Sequence, residues 1–159
     1  MLVTLNEILK MAEERGCAIG AFNTPNLECI RAVIDTAEKY NVPVIISHAE
    51  LHEEVAPLDV IGPVMVLSAK NAKVPVCVHL DHCETLDYMA RALEIGFTGV
   101  MYDGSLLPYE RNVANTIQAV ANASARIHDD ATTVALSKLC CTGLPVRGSM
   151  VWLRRSPPS

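Results

Sequence analysis

Hydrophobic positions recur along the first 127 residues in two alternating patterns. Apolar residues at helical spacing, with helix-capping residues before several of them, predict helices at 5–15, 27–40, 60–72, 84–95 and 108–127. Short apolar runs between them predict strands at 18–22, 44–46, 75–80, 98–102 and 132–136. The runs are continuously apolar, which is typical of parallel strands buried on both faces. The pattern predicts an α/β fold and leaves open a doubly wound sheet and a β/α barrel.

The regular pattern weakens towards the end of the chain. Acidic residues dominate up to about residue 125, whereas the remainder carries an excess of basic residues and ends in Ser-Pro-Pro-Ser. We therefore predict one domain over 1–127 and a divergent, irregular tail over 128–159.

Composition narrows the class of protein. Of the 159 residues, 50% are hydrophobic and 19% are charged, which predicts a folded domain. A net charge of −5 with only 4% aromatic residues disfavours nucleic-acid binding. No apolar stretch approaches the ~20 residues that span a bilayer, so we expect no membrane insertion. The N-terminus resembles no signal peptide, and the six cysteines lack C-x-x-C spacing. We expect a cytoplasmic protein with reduced, buried cysteines.

Polar side chains follow each of the four clearest strands. Asn23 follows the first, Ser47 the second, Asp81 and His82 the third, and Asp103 the fourth. The carboxyl ends of parallel strands meet at one edge of a sheet, where ligands bind in α/β folds. These residues therefore predict a binding site at that edge.

The segment His79-Leu80-Asp81-His82 carries the clearest chemistry. A neutral imidazole is a good metal ligand, and an adjacent carboxylate can move a proton at an atom that the metal polarises. We expect His79 and Asp81 to share one face of the strand and His82 to begin the following loop. An alternative is a structural hydrogen bond between strand-end histidines and a loop carboxylate. A metal site that also used His48 and His52 is a further alternative, although we favour a solvated acidic loop there.

Taken together, these motifs resemble the class II, metal-dependent ketose-bisphosphate aldolases, a family that includes fructose- and tagatose-1,6-bisphosphate aldolases. The likeness runs from about residue 5 to about residue 125. The matching segments, in order, are Ala21-Phe22-Asn23, Pro43-Val44-Ile45-Ile46-Ser47, His79-Leu80-Asp81-His82, Val100-Met101-Tyr102-Asp103-Gly104-Ser105 and Leu107-Pro108-Tyr109-Glu110-Arg111-Asn112.

The resemblance implies a (β/α)8 barrel, of which this chain would form about four βα units. It implies that His82 binds a catalytic divalent metal, usually zinc, and that Asp103 lies at the metal site. Asp81 would act as the general acid/base at the C4 oxygen, while Asn23 and Ser47 would bind substrate. The implied substrate is a sugar bisphosphate, cleaved reversibly to dihydroxyacetone phosphate and glyceraldehyde 3-phosphate. The implied full-length assembly is a homo-oligomer.

The chain also departs from the family pattern. The segment 132–138 lacks the glutamates of the family's next strand, and nothing later matches its other metal histidines or its glycine-rich phosphate loops. A barrel needs about 250 residues, and catalytic zinc typically takes about three protein ligands. We therefore expect the N-terminal half of an aldolase with an incomplete site. The alternative is a non-catalytic α/β module that self-associates or binds a partner.

Overall fold

In the computed structural model, the chain forms one sheet whose strands alternate with helices. The structure describes residues 1–127, 134–136 and 151–152. The strands are β1 Ala21–Asn23, β2 Val44–Ala49, β3 Val76–Cys83, β4 Gly99–Tyr102, β5 Val134–Leu136 and β6 Val151–Trp152. The helices are α1 Leu5–Arg15, α2 Leu27–Tyr40, α3 Leu58–Asn71, α4 Leu86–Ile95 and α5 Tyr109–Arg126, and a short 3-10 helix spans Glu50–His52. No described helix has the length and apolar character that a membrane crossing needs.

The strands lie side by side in chain order. β1 to β5 are mutually parallel, and β6 pairs antiparallel with β5. A doubly wound sheet reverses its strand order near the middle, whereas a β/α barrel adds each strand beside the previous one. The order therefore decides between the two predicted folds, and the sheet is part of a β/α barrel. The predicted irregular tail, 128–159, lies outside the described residues apart from β5 and β6.

Helix ends follow the capping residues in the sequence. Thr4 and Glu7 form a reciprocal capping box at the start of α1, and Gly16 ends that helix in the left-handed conformation. Asn26 caps α2 by accepting a hydrogen bond from the backbone N–H of Cys29. These local signals explain why the predicted bounds of α1 and α2 agree with the structure, and the bounds of the other helices lie within two residues of the prediction.

The two faces of the sheet are covered differently. The larger hydrophobic core lies between one face and α2 to α5, and it includes Ile46, Val78, Leu80 and Val100 from the strands. On the other face, a smaller cluster joins Ile45 and Cys77 to α1. Side chains alternate between the faces along each strand, so the residues next to these core positions point to the less covered face.

The prediction that the first strand is buried on both faces is wrong. β1 is shorter than predicted, and all three of its residues are exposed, with Phe22 half exposed. Within the described residues β1 pairs only with β2, so it forms an edge of the sheet. The expectation of buried cysteines is confirmed for Cys77 and Cys83, but it is wrong for Cys17, which is exposed, and for Cys29, which is only partly buried.

Candidate active site

A β-bulge near the end of β3 shapes the candidate site. Leu80 pairs with Val100 and Cys83 pairs with Tyr102, so β3 advances by three residues while β4 advances by two. The bulge contains His82, whose φ of 46° is left-handed. Such backbone costs an L-residue about 1–2 kcal/mol and persists only where surrounding contacts hold it. The expectation that His82 begins a loop is wrong, because pairing with β4 continues β3 through Cys83.

Asp103, which directly follows β4, holds the imidazole of His82. Its Oδ2 lies 2.7 Å from Nδ1 of His82, and its Oδ1 accepts a hydrogen bond of 3.0 Å from the backbone N–H of Ser105. The backbone N–H of Asp103 donates to the carbonyl of Cys83 at 2.7 Å. An ionised carboxylate only accepts hydrogen bonds, so the ring donates from Nδ1 and keeps Nε2 for a ligand.

Asp81 lies one residue before His82, within the same strand. Its Oδ1 is buried without a hydrogen-bond partner, and it lies 4.0 Å from Nε2 of His79. Burial lowers the pKa of His79, and the nearby Asp81 opposes that shift. His79 and Asp81 therefore share one face, as predicted. A buried carboxylate oxygen of this kind is suited to accept a proton or a hydrogen bond from a bound molecule.

The register of the sheet aligns the predicted substrate residues. Asn23 pairs with Ser47, and Ser47 pairs with His79, so the three lie in one row across neighbouring strands. Two residues further along each strand, and on the same face, Ala49 pairs with Asp81. Ser47 is buried and Asn23 is exposed at the open edge. The structure thus brings the predicted residues of three strands to one face, at the carboxyl ends of the strands.

His48 points to the opposite face of the sheet. It is fully buried, and its Nε2 lies 2.8 Å from the hydroxyl of Tyr88, which donates to Glu53 at 2.6 Å. Burial lowers the pKa of His48 to about 4. A metal site that combines His48 with His79 and His82 is therefore excluded by the alternation of the strands. The solvated loop expected here is wrong for His48 because β2 continues through Ala49.

Glu50 is one of the polar residues that follow the second strand in the sequence, but no contact or role is predicted for it. Its carboxylate accepts hydrogen bonds from the backbone N–H groups of Glu84 and Thr85, at 2.8 and 3.1 Å, and from the hydroxyl of Thr85 at 2.8 Å. Thr85 at an N-cap position is a signal for the start of α4. No local signal links it to a residue that lies 35 positions earlier.

The donor set fits one ligand of a zinc site. A metal-binding histidine usually donates its second ring N–H to a carboxylate, which is the arrangement of His82 with Asp103. Among residues 1–127, however, no group of three or more His, Cys, Asp or Glu side chains can hold a metal ion. These residues therefore fit part of a zinc site and do not complete one.

Comparison with known proteins agrees with this geometry. The family model described as fructose-bisphosphate aldolase class-II matches residues 3–128. A fructose-bisphosphate aldolase of Thermus caldophilus is 41% identical over 125 residues, and a 6-phospho-5-dehydro-2-deoxy-D-gluconate aldolase of Halalkalibacterium halodurans is 38% identical over 128. Among solved structures, the YdjI aldolase from Escherichia coli K12 superimposes with a TM-score of 0.71 at 32% identity.

The coverage of these matches is uneven. Each curated match covers 79% of this chain but only 41% and 44% of the relative, and the structural match covers 76% of this chain and 47% of the other. The chain thus spans about two fifths of the length of the curated relatives. The family match nevertheless includes the whole of β1 to β4 and the residues at their carboxyl ends. On this match, the chain belongs to the class II fructose-bisphosphate aldolase family.

Proposed function

We propose that this chain forms part of the active site of a zinc-dependent aldolase that reversibly cleaves a ketose 1,6-bisphosphate. The observation that carries the proposal is the β3 bulge. It presents His82 with its Nδ1 bound to Asp103, directly beside a carboxylate whose Oδ1 is buried and lacks a hydrogen-bond partner. A metal ligand and a proton-transfer group on adjacent residues suit carbon–carbon bond cleavage next to a carbonyl.

Each residue of the site has a role in this proposal. Asp81 accepts the proton of the C4 hydroxyl during cleavage and returns it during condensation. Asn23 and Ser47, one row away along the sheet, hydrogen-bond the substrate and orient it against Asp81. Asp103 fixes the ring orientation and tautomer of His82.

His82 would hold a zinc ion through Nε2, and Asp103 would lie at the metal site as the acceptor for the other ring nitrogen of His82. The bound ion would polarise the ketone carbonyl of the substrate. Because catalytic zinc takes about three protein ligands, the remaining ligands would come from residues beyond those the structure describes or from another polypeptide. Turnover by this chain alone should then be far below that of its full-length relatives.

The substrate is proposed at the level of its class. The two curated relatives above are named for different sugar-phosphate substrates, although their identities to this chain are 41% and 38%. We propose a fructose or tagatose 1,6-bisphosphate, with dihydroxyacetone phosphate and glyceraldehyde 3-phosphate as products. We further propose a cytoplasmic location, which the four free cysteines among the described residues support. Homo-oligomer formation stays a prediction.

A chimeric enzyme tests the proposal. Residues 3–128 would replace the matching segment of the Thermus caldophilus aldolase, which supplies the remaining length. We expect zinc-dependent cleavage of fructose or tagatose bisphosphate, measured by a coupled NADH assay, and loss of that activity in His82→Ala. A folded, zinc-loaded chimera that cleaves neither sugar would contradict the proposal. High activity of the unmodified chain alone would contradict the incomplete site.

A non-catalytic, self-associating module is the second candidate. It is favoured by the exposed edge strand β1, with Phe22 half exposed, and by an adjacent apolar groove of about 610 Å³ between α1 and β1. Light scattering after size-exclusion chromatography measures the association state. A dimer that Phe22→Lys dissociates would support this function, and a stable monomer would count against it.

A further inference from the structure

The carboxylate of Glu50 bridges the ends of two neighbouring strands. Glu50 begins the 3-10 helix that follows β2, and it reaches the turn that joins β3 to α4. Its Oε2 accepts the backbone N–H groups of Glu84 and Thr85 and lies 3.5 Å from Sγ of Cys83, while its Oε1 accepts the hydroxyl of Thr85. Three donors from Glu84 and Thr85 therefore converge on one carboxylate, and the thiol of Cys83, which lies 3.0 Å from the carbonyl oxygen of Thr85, packs beside it.

These three residues come directly after His82. The other side of the same segment is held by Asp103, which binds the ring of His82 and the carbonyl of Cys83. The backbone of residues 82–85 lies between the side chains of Asp103 and Glu50. It is thus held from the ends of both neighbouring strands, β4 and β2. Cys83, the first of these three residues, is fully buried and packs in the larger core.

The left-handed backbone of His82 needs such support. A non-glycine residue with positive φ relaxes to a negative φ unless its surroundings prevent this. Relaxation at His82 would rotate the ring away from Asp103, because the side-chain direction follows the backbone. Asp103 holds the ring and the carbonyl of Cys83, whereas Glu50 holds the next two backbone N–H groups.

We propose that Glu50 is a positioning residue, which keeps the bulge of β3 in the shape that places the imidazole of His82 on Asp103. The inference rests on the proposed function, in which His82 is a metal ligand. Glu50 itself contacts neither His82 nor the reacting atoms. Its effect passes through the backbone of Cys83, Glu84 and Thr85.

The tautomer of the His82 ring shows whether its Nδ1 is bound to Asp103. This measurement needs no assay of activity. In the full chain, ¹⁵N spectra of the histidine rings at one fixed pH above neutrality give the fraction of His82 that carries its proton on Nδ1. The signal is assigned by its loss in His82→Asn. We expect the Nδ1–H tautomer to dominate in the wild-type protein and its fraction to fall by about half or more in Glu50→Ala, because the released ring can carry its proton on Nε2.

Conservative and disruptive variants separate positioning from folding. Glu50→Gln keeps an acceptor for both backbone N–H groups and should retain the wild-type tautomer. Glu50→Asp keeps the charge but is shorter, and it should shift the tautomer even if Glu50→Ala fails to fold. Folded Glu50→Asp with the wild-type fraction would overturn the proposal, as would loss of the tautomer in Glu50→Gln.

Two further variants serve as matched controls. Glu54→Ala removes the same charge from an exposed position of the same loop, and Ile34→Val weakens the core in α2. Neither should change the tautomer. If either control variant lost as much of the Nδ1–H tautomer as Glu50→Ala, the proposal would be overturned. The cause would then be the loss of a negative charge or of stability, and not the loss of the Glu50 contacts. The result is independent of the chimera's activity, so failure of the positioning role and failure of the aldolase function remain distinguishable.

Discussion

Asp103 and His82 are joined side chain to side chain across the neighbouring strands β3 and β4, with 2.7 Å between Oδ2 and Nδ1. The contact depends on the bulge, since a regular β3 would place position 82 in normal register and without the left-handed turn. Two strands of the barrel therefore cooperate to orient one imidazole. The chemistry proposed for the site depends on that orientation.

Removal of the Asp103 carboxylate should weaken zinc binding. In the chimera, we expect Asp103→Ala to lower zinc affinity about 10- to 100-fold, because the second ring nitrogen of His82 loses its acceptor. Competition with a chelator of known affinity measures the change. Asp35→Ala, an exposed position on α2, is the control. Equal affinity in the two variants would contradict a metal-orienting role for Asp103.

Asp81 should affect the chemical step more than metal binding. In the chimera, Asp81→Asn should lower kcat by about 10²- to 10⁴-fold, because general acid–base catalysis typically contributes that factor. Zinc content, measured on the same samples, should stay at the wild-type level. If kcat were unchanged, or if it fell only in proportion to lost zinc, Asp81 would not be the proton-transfer group.

His48 should make the fold less stable in mild acid. Its pKa is lowered from 6.5 to about 4, with burial as the largest cause, so the unfolded chain binds a proton more readily than the folded one. Above pH 6.5 the neutral ring of His48 makes its full contribution to the free energy of unfolding. As the pH falls from 6.5 towards 4, that contribution is lost at up to about 1.4 kcal/mol per pH unit. Urea unfolding at pH 7 and pH 5 should show a smaller loss of stability in His48→Gln. An identical pH dependence in both proteins would contradict this.

Gly104 lies where no side chain fits. A Cβ there would overlap Oδ1 of Asn112 and would lie 2.9 Å from a ring carbon of Tyr102. We expect Gly104→Ala to lower the free energy of unfolding by about 1–3 kcal/mol, as overpacking usually does. Chemical denaturation measures the loss. Adding Asn112→Ala should recover part of it, because the closest atoms are then removed. No recovery would mean that the close approach to α5 is not the cause.

The sequence predicted what short-range chemistry determines. Thr4, Gly16 and Asn26 act within one helical turn, so the helix ends could be inferred from spacing alone. The bulge at His82 could not be inferred, because it arises from the pairing of β3 with β4. The contacts of Glu50 join segments far apart in the chain and carry no local signature.

The exposure of β1 also could not be predicted from the local pattern of apolar residues. The run before Asn23 is as apolar as the other strands, yet β1 lies at the open edge of the described sheet and stays exposed. Whether an apolar strand is buried depends on what packs beside it. The barrel fold was inferred from the family resemblance and not from the local pattern. The sequential strand order in the structure agrees with that inference.

The alternation along β3 makes this part of the gene sensitive to small insertions and deletions. A single-codon deletion before His79 would exchange the two faces of the strand. His79 and Asp81 would then move into the space that the helices fill, and the aliphatic side chain of Leu80 would lie where polar groups now stand. The bulge already resets the register at His82. Within this strand, we therefore expect insertions and deletions of one residue to be tolerated only after His82.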